Sequence, residues 1–257
     1  MKAVVAAEGL GARTRRGPVF SGVTLEAGPG QVVAVAGPGG SGRTSLLLTL
    51  AGRMRPSAGG LVVAGTSDAA RIRALVAVAR AAGAAGPEPE LRVGQHVAER
   101  LLTLRGAHAP GGTDGTDGAD GADGADGADG IDGADGAESP DGEHGPDGAD
   151  GERGAGGVRD FGDARELTGL RADDHELVRD LPDAQVTRLA LALALLENAP
   201  VIVLDDLDRG ADAAEQVALW AAVRRAAGTG PAVVATVVDA SPAHGLADVF
   251  AHLGGGA

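Results

Sequence analysis

Gly37–Ser45 reads GPGGSGRTS, with the apolar run Gln31–Ala36 (QVVAVA) before it and the leucine-rich run Leu46–Leu50 (LLLTL) behind it. A strand running into a glycine-rich loop that opens a helix is a phosphate-binding device. Small residues let backbone N–H groups wrap an anion, and the helix N-terminus adds unpaired donors and the positive end of its dipole. The spacing is that of a P-loop, G-x-x-x-x-G-K-[ST], with Arg43 where the pattern has lysine. In a chain holding 44 glycines the same letters also suit an ordinary turn before a helix, so the surroundings must decide.

The second informative stretch is Val201–Asp206, VIVLDD, an apolar strand that ends on two carboxylates. Nucleotide chemistry at a P-loop needs a magnesium ion held by the loop hydroxyl and by a carboxylate at the end of a neighbouring buried strand. Thr44 and Asp205 suit those two places and are the candidate Mg2+ ligands. The plainer alternative is a pair of aspartates that caps the following turn. The candidate phosphate-binding residues are Gly37, Pro38, Gly39, Gly40, Ser41, Gly42, Arg43, Thr44 and Ser45.

Outward from these stretches, apolar strands alternate with helices. Strands are expected at 2–7, 19–27, 61–64, 74–79 and 232–238, with a last short one at 248–253. Helices are expected at 43–54, 93–105, 161–170 and 184–198, with another around Val217–Val223 and ordered chain through 173–181. Asp183 stands where the N-cap of the 184–198 helix belongs. Such alternation predicts an α/β domain with a largely parallel core sheet.

Composition excludes several function classes. The chain has no cysteine, hence no disulfide, thiolate metal site or cysteine nucleophile. Its six histidines are scattered without metal-ligand spacing and read as surface residues. The N-terminal residues lack the order of a signal peptide, and no apolar run approaches the ~18 residues needed to span a bilayer. The expectation is a cytoplasmic protein with no membrane span. Of the net charge of −14, −13 falls in residues 112–157, which hold 11 Asp, 3 Glu and one Arg. The remainder is nearly neutral and lacks the basic stripe a nucleic-acid partner requires.

In that same stretch glycine recurs every third residue from Gly112 to Gly157, broken only at Ser139. A triple helix would need prolines in the intervening places, and only Pro140 and Pro146 occur. Aspartate-glycine repeats also suggest weak calcium binding, but the double-glycine, nine-residue layout is missing. The composition predicts a solvated, disordered Gly-Ala-Asp insertion over 107–157 rather than a domain.

Together these segments resemble an ATP-binding cassette, the nucleotide-binding subunit of ABC transporters. Residues 37–60, GPGGSGRTSLLLTLAGRMRPSAGG, are close to that family's P-loop and following helix. Residues 181–206, LPDAQVTRLALALALLENAPVIVLDD, sit where it has its signature helix and Walker B strand. Gln185, Arg188, Pro200 and Asp205 fall at family-like spacing, and Gly210, Ala211 and Asp212 match the D-loop except at the central residue. The resemblance implies a P-loop NTPase core over 1–257, with an antiparallel β-subdomain and a helical subdomain that the insertion interrupts. It further implies Mg-ATP binding and, at Asp206, the catalytic carboxylate. The implied partners are an integral-membrane transporter subunit and a second cassette, as homodimer or heterodimer, on the cytoplasmic face of the membrane.

Departures from the family pattern point toward weak or partner-dependent hydrolysis, or toward a non-hydrolysing regulatory or protein-interaction module. The signature serine and glycines are replaced by Pro182, Asp183 and Ala184, and the catalytic glutamate by the shorter Asp206. Val238 stands at the switch-histidine place, and VAVAR ends on Arg80 where a Q-loop glutamine is expected. Arg43 replaces a compact point charge by a larger planar group, which is not an equivalent exchange.

Overall fold

The computed structural model describes residues 2–107, 158 and 160–254. The expected acidic insertion lies outside the described residues, apart from Ala107 at the end of a helix.

A five-stranded parallel sheet forms the centre. Its strands are β3 (Val32–Ala36), β5 (Val76–Arg80), β6 (Val201–Leu204), β7 (Ala232–Val237) and β8 (Val249–His252), in the order β5-β6-β7-β3-β8. All residues of β3, β5, β6 and β7 are buried, which explains why they read as unbroken apolar runs rather than alternating ones: both faces of the sheet are covered. Successive side chains still point to opposite faces. Val33 and Val35 of β3, with Val201 and Val203 of β6, join one core, whereas Ala34, Ala36, Ile202 and Leu204 join the other.

The first core is closed by α1 (Arg43–Leu50), the short α2 (Ala69–Leu75) and a second sheet. That sheet is antiparallel, three-stranded and ordered β2-β1-β4, from β1 (Val5–Thr14), β2 (Gly17–Ala27) and β4 (Ala58–Val63). The opposite core is closed by α5 (Asp183–Leu196) and α6 (Ala213–Gly228), with the buried Trp220 on α6 and alanines letting the helices approach the sheet. A third cluster joins Val93 on α3 (Val93–Ala107) to Leu189 and Leu193 on α5, with Leu170 just beyond α4 (Phe161–Thr168). The parallel core, the antiparallel sheet and this helical part match the expected α/β architecture.

Several local expectations need correction. The strand expected at 74–79 begins only at Val76, because Asp68 caps α2 by accepting from the Arg71 N–H and the helix takes Ala74 and Leu75. The helix expected to Met54 ends at Leu50. In α5 the N-cap is Pro182, with extended backbone, and Asp183 is the first helical residue, where its charge still favours the positive end of the dipole. Within 173–181 only Val178–Asp180 forms a helical turn. His96 is buried rather than superficial, its Nε2 lying 3.2 Å from the Glu88 carbonyl. No described helix is long and apolar enough to cross a membrane.

Candidate functional site

The glycine-rich loop leaves the C-terminal end of β3 and opens α1, in the crevice where ligands bind to open α/β sheets. Gly42, the N-cap of α1, has φ +89°, and a Cβ there would lie 2.6 Å from the Val19 carbonyl oxygen, so only glycine fits. No side chain caps α1, which leaves its first N–H groups for an outside acceptor.

Asp205 follows β6, two strands away from β3, and is almost fully buried. Thr44 Oγ1 donates to Asp205 Oδ2 at 2.6 Å, Thr236 Oγ1 donates to Asp205 Oδ1 at 2.5 Å, and the Ala82 N–H reaches Oδ2 at 3.2 Å. The two residues singled out in sequence as an Mg2+ pair are therefore in direct contact. Thr236 lies on β7, the strand between β3 and β6, and supports the carboxylate from the far side. Its one sequence signal is a lone hydroxyl in the apolar run AVVATV.

Asp206 has a left-handed backbone, φ +46°. Its N–H donates to Thr236 Oγ1 at 2.9 Å, its carbonyl accepts from Arg80 Nη2 at 2.6 Å, and its Oδ1 lies 2.9 Å from Arg43 Nη2. Burial, with the neighbouring Asp205 charge, pushes the Asp206 carboxyl above its ordinary value, and Arg43 partly opposes the shift. The loop arginine thus points at the carboxylate after β6. Arg43 Nη1 and Ser41 Oγ are buried without a hydrogen-bond partner.

Arg80, at the place of the expected glutamine, is itself buried and also donates from Nη1 to Thr187 Oγ1 on α5 at 2.8 Å. Burial lowers its basicity, Arg209 adds to this, and Asp206, Asp183 and Asp205 oppose it. It ties β5, α5 and the Asp206 loop together. Beside it opens a cleft of about 630 Å3 lined by Arg80, Glu88, Asp183, Asp205, Asp206 and Arg209, among others, and by no residue of 37–45. Val238, at the switch-histidine place, is 55% exposed, and its N–H donates to Asp208 Oδ2 at 2.8 Å.

The donor set suits a nucleotide with magnesium. An uncapped helix start and a glycine loop fit phosphates, and a hydroxyl beside a carboxylate fits a metal that keeps most of its ligands from phosphate and water. Among the described residues, no group of three or more His, Asp or Glu side chains is arranged to hold a metal ion.

Known proteins agree with this architecture. The family model described as ABC transporter matches residues 20–208. The hemin import ATP-binding protein HmuV of Gloeobacter violaceus is 47% identical over 73 residues, covering 27% of this chain and 26% of that protein. The cytochrome c biogenesis ATP-binding export protein CcmA of Cupriavidus necator is 40% identical over 92 residues, 34% of this chain and 39% of that one. The matched segments therefore span between a quarter and two fifths of these relatives. A nucleotide-free ATP-binding cassette from an ABC transporter superposes with a TM-score of 0.66 at 14% identity, over 99% of this chain and 89% of that one. An ATP-binding cassette in its ADP conformation gives 0.64 at 13% identity, over 98% and 88%. With the family model spanning well over half its length, from the second strand past the paired aspartates, the chain belongs to the ABC transporter family.

Proposed function

We propose that this subunit binds Mg-ATP through Gly37–Ser45 and hydrolyses it slowly, or only within a complex with a membrane-embedded transporter subunit and a second cassette on the cytoplasmic face. The observation that carries the binding half is the 2.6 Å contact between Thr44 and Asp205 beneath the uncapped start of α1. Magnesium, when bound there, would neutralise phosphate charge, with Thr44 and Asp205 as its protein ligands. The chain's own residues do the rest. Loop N–H groups orient the phosphates, Thr236 holds the Asp205 carboxylate in place, and Arg43 supplies the one loop cation.

The hydrolytic half is weak for stated reasons. A water-activating carboxylate must reach the attacking water, and a misplacement of about 1 Å costs on the order of a hundredfold. Asp206 is one methylene shorter than glutamate and lies against Arg43. Across a dimer, Pro182 and Asp183 would offer a partner's phosphate neither a hydroxyl nor a neutral surface. Calorimetry with Mg-ATP tests the proposal: saturable binding, lost in Thr44→Val and Asp205→Asn, together with turnover near background. A magnesium-dependent ATPase rate like that of ordinary cassettes would overturn the second half.

The Arg43–Asp206 pair favours a second reading, a cassette that binds nucleotide without turnover and serves a regulatory or interaction role. The two readings part on one measurement, ATPase activity after reconstitution with the membrane partner.

A further inference from the structure

Arg43 is the loop's only cation, yet it is already occupied. Its Nη2 lies 2.9 Å from Asp206 Oδ1, and the side chain is only 11% exposed. Its Nη1 is buried with no hydrogen-bond partner, an arrangement that wastes half of a group built for bidentate contacts. An incoming anion does not reach this guanidinium while the side chain lies where it does.

Asp206, by contrast, is anchored through its backbone: N–H on Thr236, carbonyl on Arg80, and a left-handed conformation. The partner free to move is Arg43, a long side chain on the first residue of α1. We propose that Arg43 and Asp206 form a latch over the phosphate site, so that nucleotide phosphates and Asp206 compete for one guanidinium. The proposal rests on the nucleotide-binding reading for its ligand but not for the contact itself. Asp206 then acts on this site as a regulator that holds the loop cation in reserve. Release to phosphate lets both ends of the guanidinium find acceptors, which the latched state denies Nη1.

The latch has a sign that an aid to binding or catalysis lacks: neutralising Asp206 tightens phosphate binding. Asp206→Asn is suited to the test, since asparagine tolerates the left-handed backbone at least as well as aspartate. By calorimetry without magnesium, Asp206→Asn is expected to bind ATP and inorganic pyrophosphate about tenfold more tightly than wild type, or about 1.4 kcal/mol. In an Arg43→Met background the same substitution is expected to change affinity less than about twofold. No tightening, or equal tightening in both backgrounds, would overturn the latch, the latter showing only a general effect of removing a negative charge.

A second readout needs no nucleotide. Phenylglyoxal modification, followed peptide by peptide, is expected to be slower at Arg43 than at the exposed Arg15, and several-fold faster at Arg43 in Asp206→Asn with Arg15 unchanged. Equal Arg43 rates in the two proteins would overturn the latch. If the labelling result appears while neither probe binds either protein, with magnesium or without it, the Arg43–Asp206 contact stands and the nucleotide-binding reading falls.

Discussion

Thr236 shows how much one buried hydroxyl carries at the residue scale. It donates to Asp205 and accepts from the Asp206 N–H, so Thr236→Val leaves one carboxylate oxygen and one backbone donor short of a partner. The expected cost is about 1–3 kcal/mol in a urea melt, because buried groups without partners lose their hydration uncompensated. Asp206 gives a signed pH effect. Its folded carboxyl holds its proton to a higher pH than the ordinary 3.8, so its contribution to stability is greatest below 3.8 and falls as pH rises through the folded pKa. Arg43 works against that shift, and Arg43→Met is therefore expected to raise the Asp206 pKa further, as read by carboxyl-carbon NMR titration. The sequence marked Asp206 and Arg43 as departures but gave no sign of their ion pair. Side chains that meet across neighbouring elements leave no trace in local periodicity.

At the scale of elements, two contacts join the helical part to the loop after β6. Arg80 reaches Thr187 on α5, 107 residues away in sequence. Arg80→Met keeps the aliphatic stem but leaves Thr187 and the Asp206 carbonyl without that donor. The expected results are a loss of about 1–3 kcal/mol and faster hydrogen exchange at the start of α5. The other contact is between Gly210 and the first turn of α5. A Cβ at Gly210 would lie 2.0 Å from Asp183 Oδ2, and Gly210 has φ +65°. Gly210→Ala is therefore expected to destabilise by more than the ~1–2 kcal/mol of the backbone alone, and Asp183→Ala in the same chain to recover only the part owed to the carboxylate, since the Asp183 Cβ would still lie 2.6 Å away. A double-mutant cycle by thermal melt checks the coupling. The pairing is invisible in sequence because Asp183 reads there as an N-cap, and only the observed cap at Pro182 shows its carboxylate turned toward Gly210.

For the whole molecule, the central sheet and its two covering layers follow from strands apolar on both faces between alanine- and leucine-rich helices. In sequence, the acidic 112–157 stretch holds a single large aliphatic side chain, Ile131. Since closure entropy grows only slowly with loop length, deletion of 112–157 is expected to change stability by about 1 kcal/mol or less. Chemical denaturation of the deleted and full-length chains checks it, and a larger loss would mean that the stretch packs against the rest.

By itself the sequence determined the class of each long element, the phosphate loop, the strand carrying Asp205 and the family, because these depend on residue type and spacing along the chain. Its limits appeared first in short elements: α2 has one buried side chain, Ile72, too little periodicity to announce a helix. Only the tertiary structure decided what the loop cation does. Arg43 and Asp206 lie far apart in the chain and meet because β3 and β6 flank the same strand, β7, and release their loops at the same edge of the sheet. GPGGSGRTS thus reads as a phosphate cradle in sequence, and its one cation is turned inward on a carboxylate by the fold.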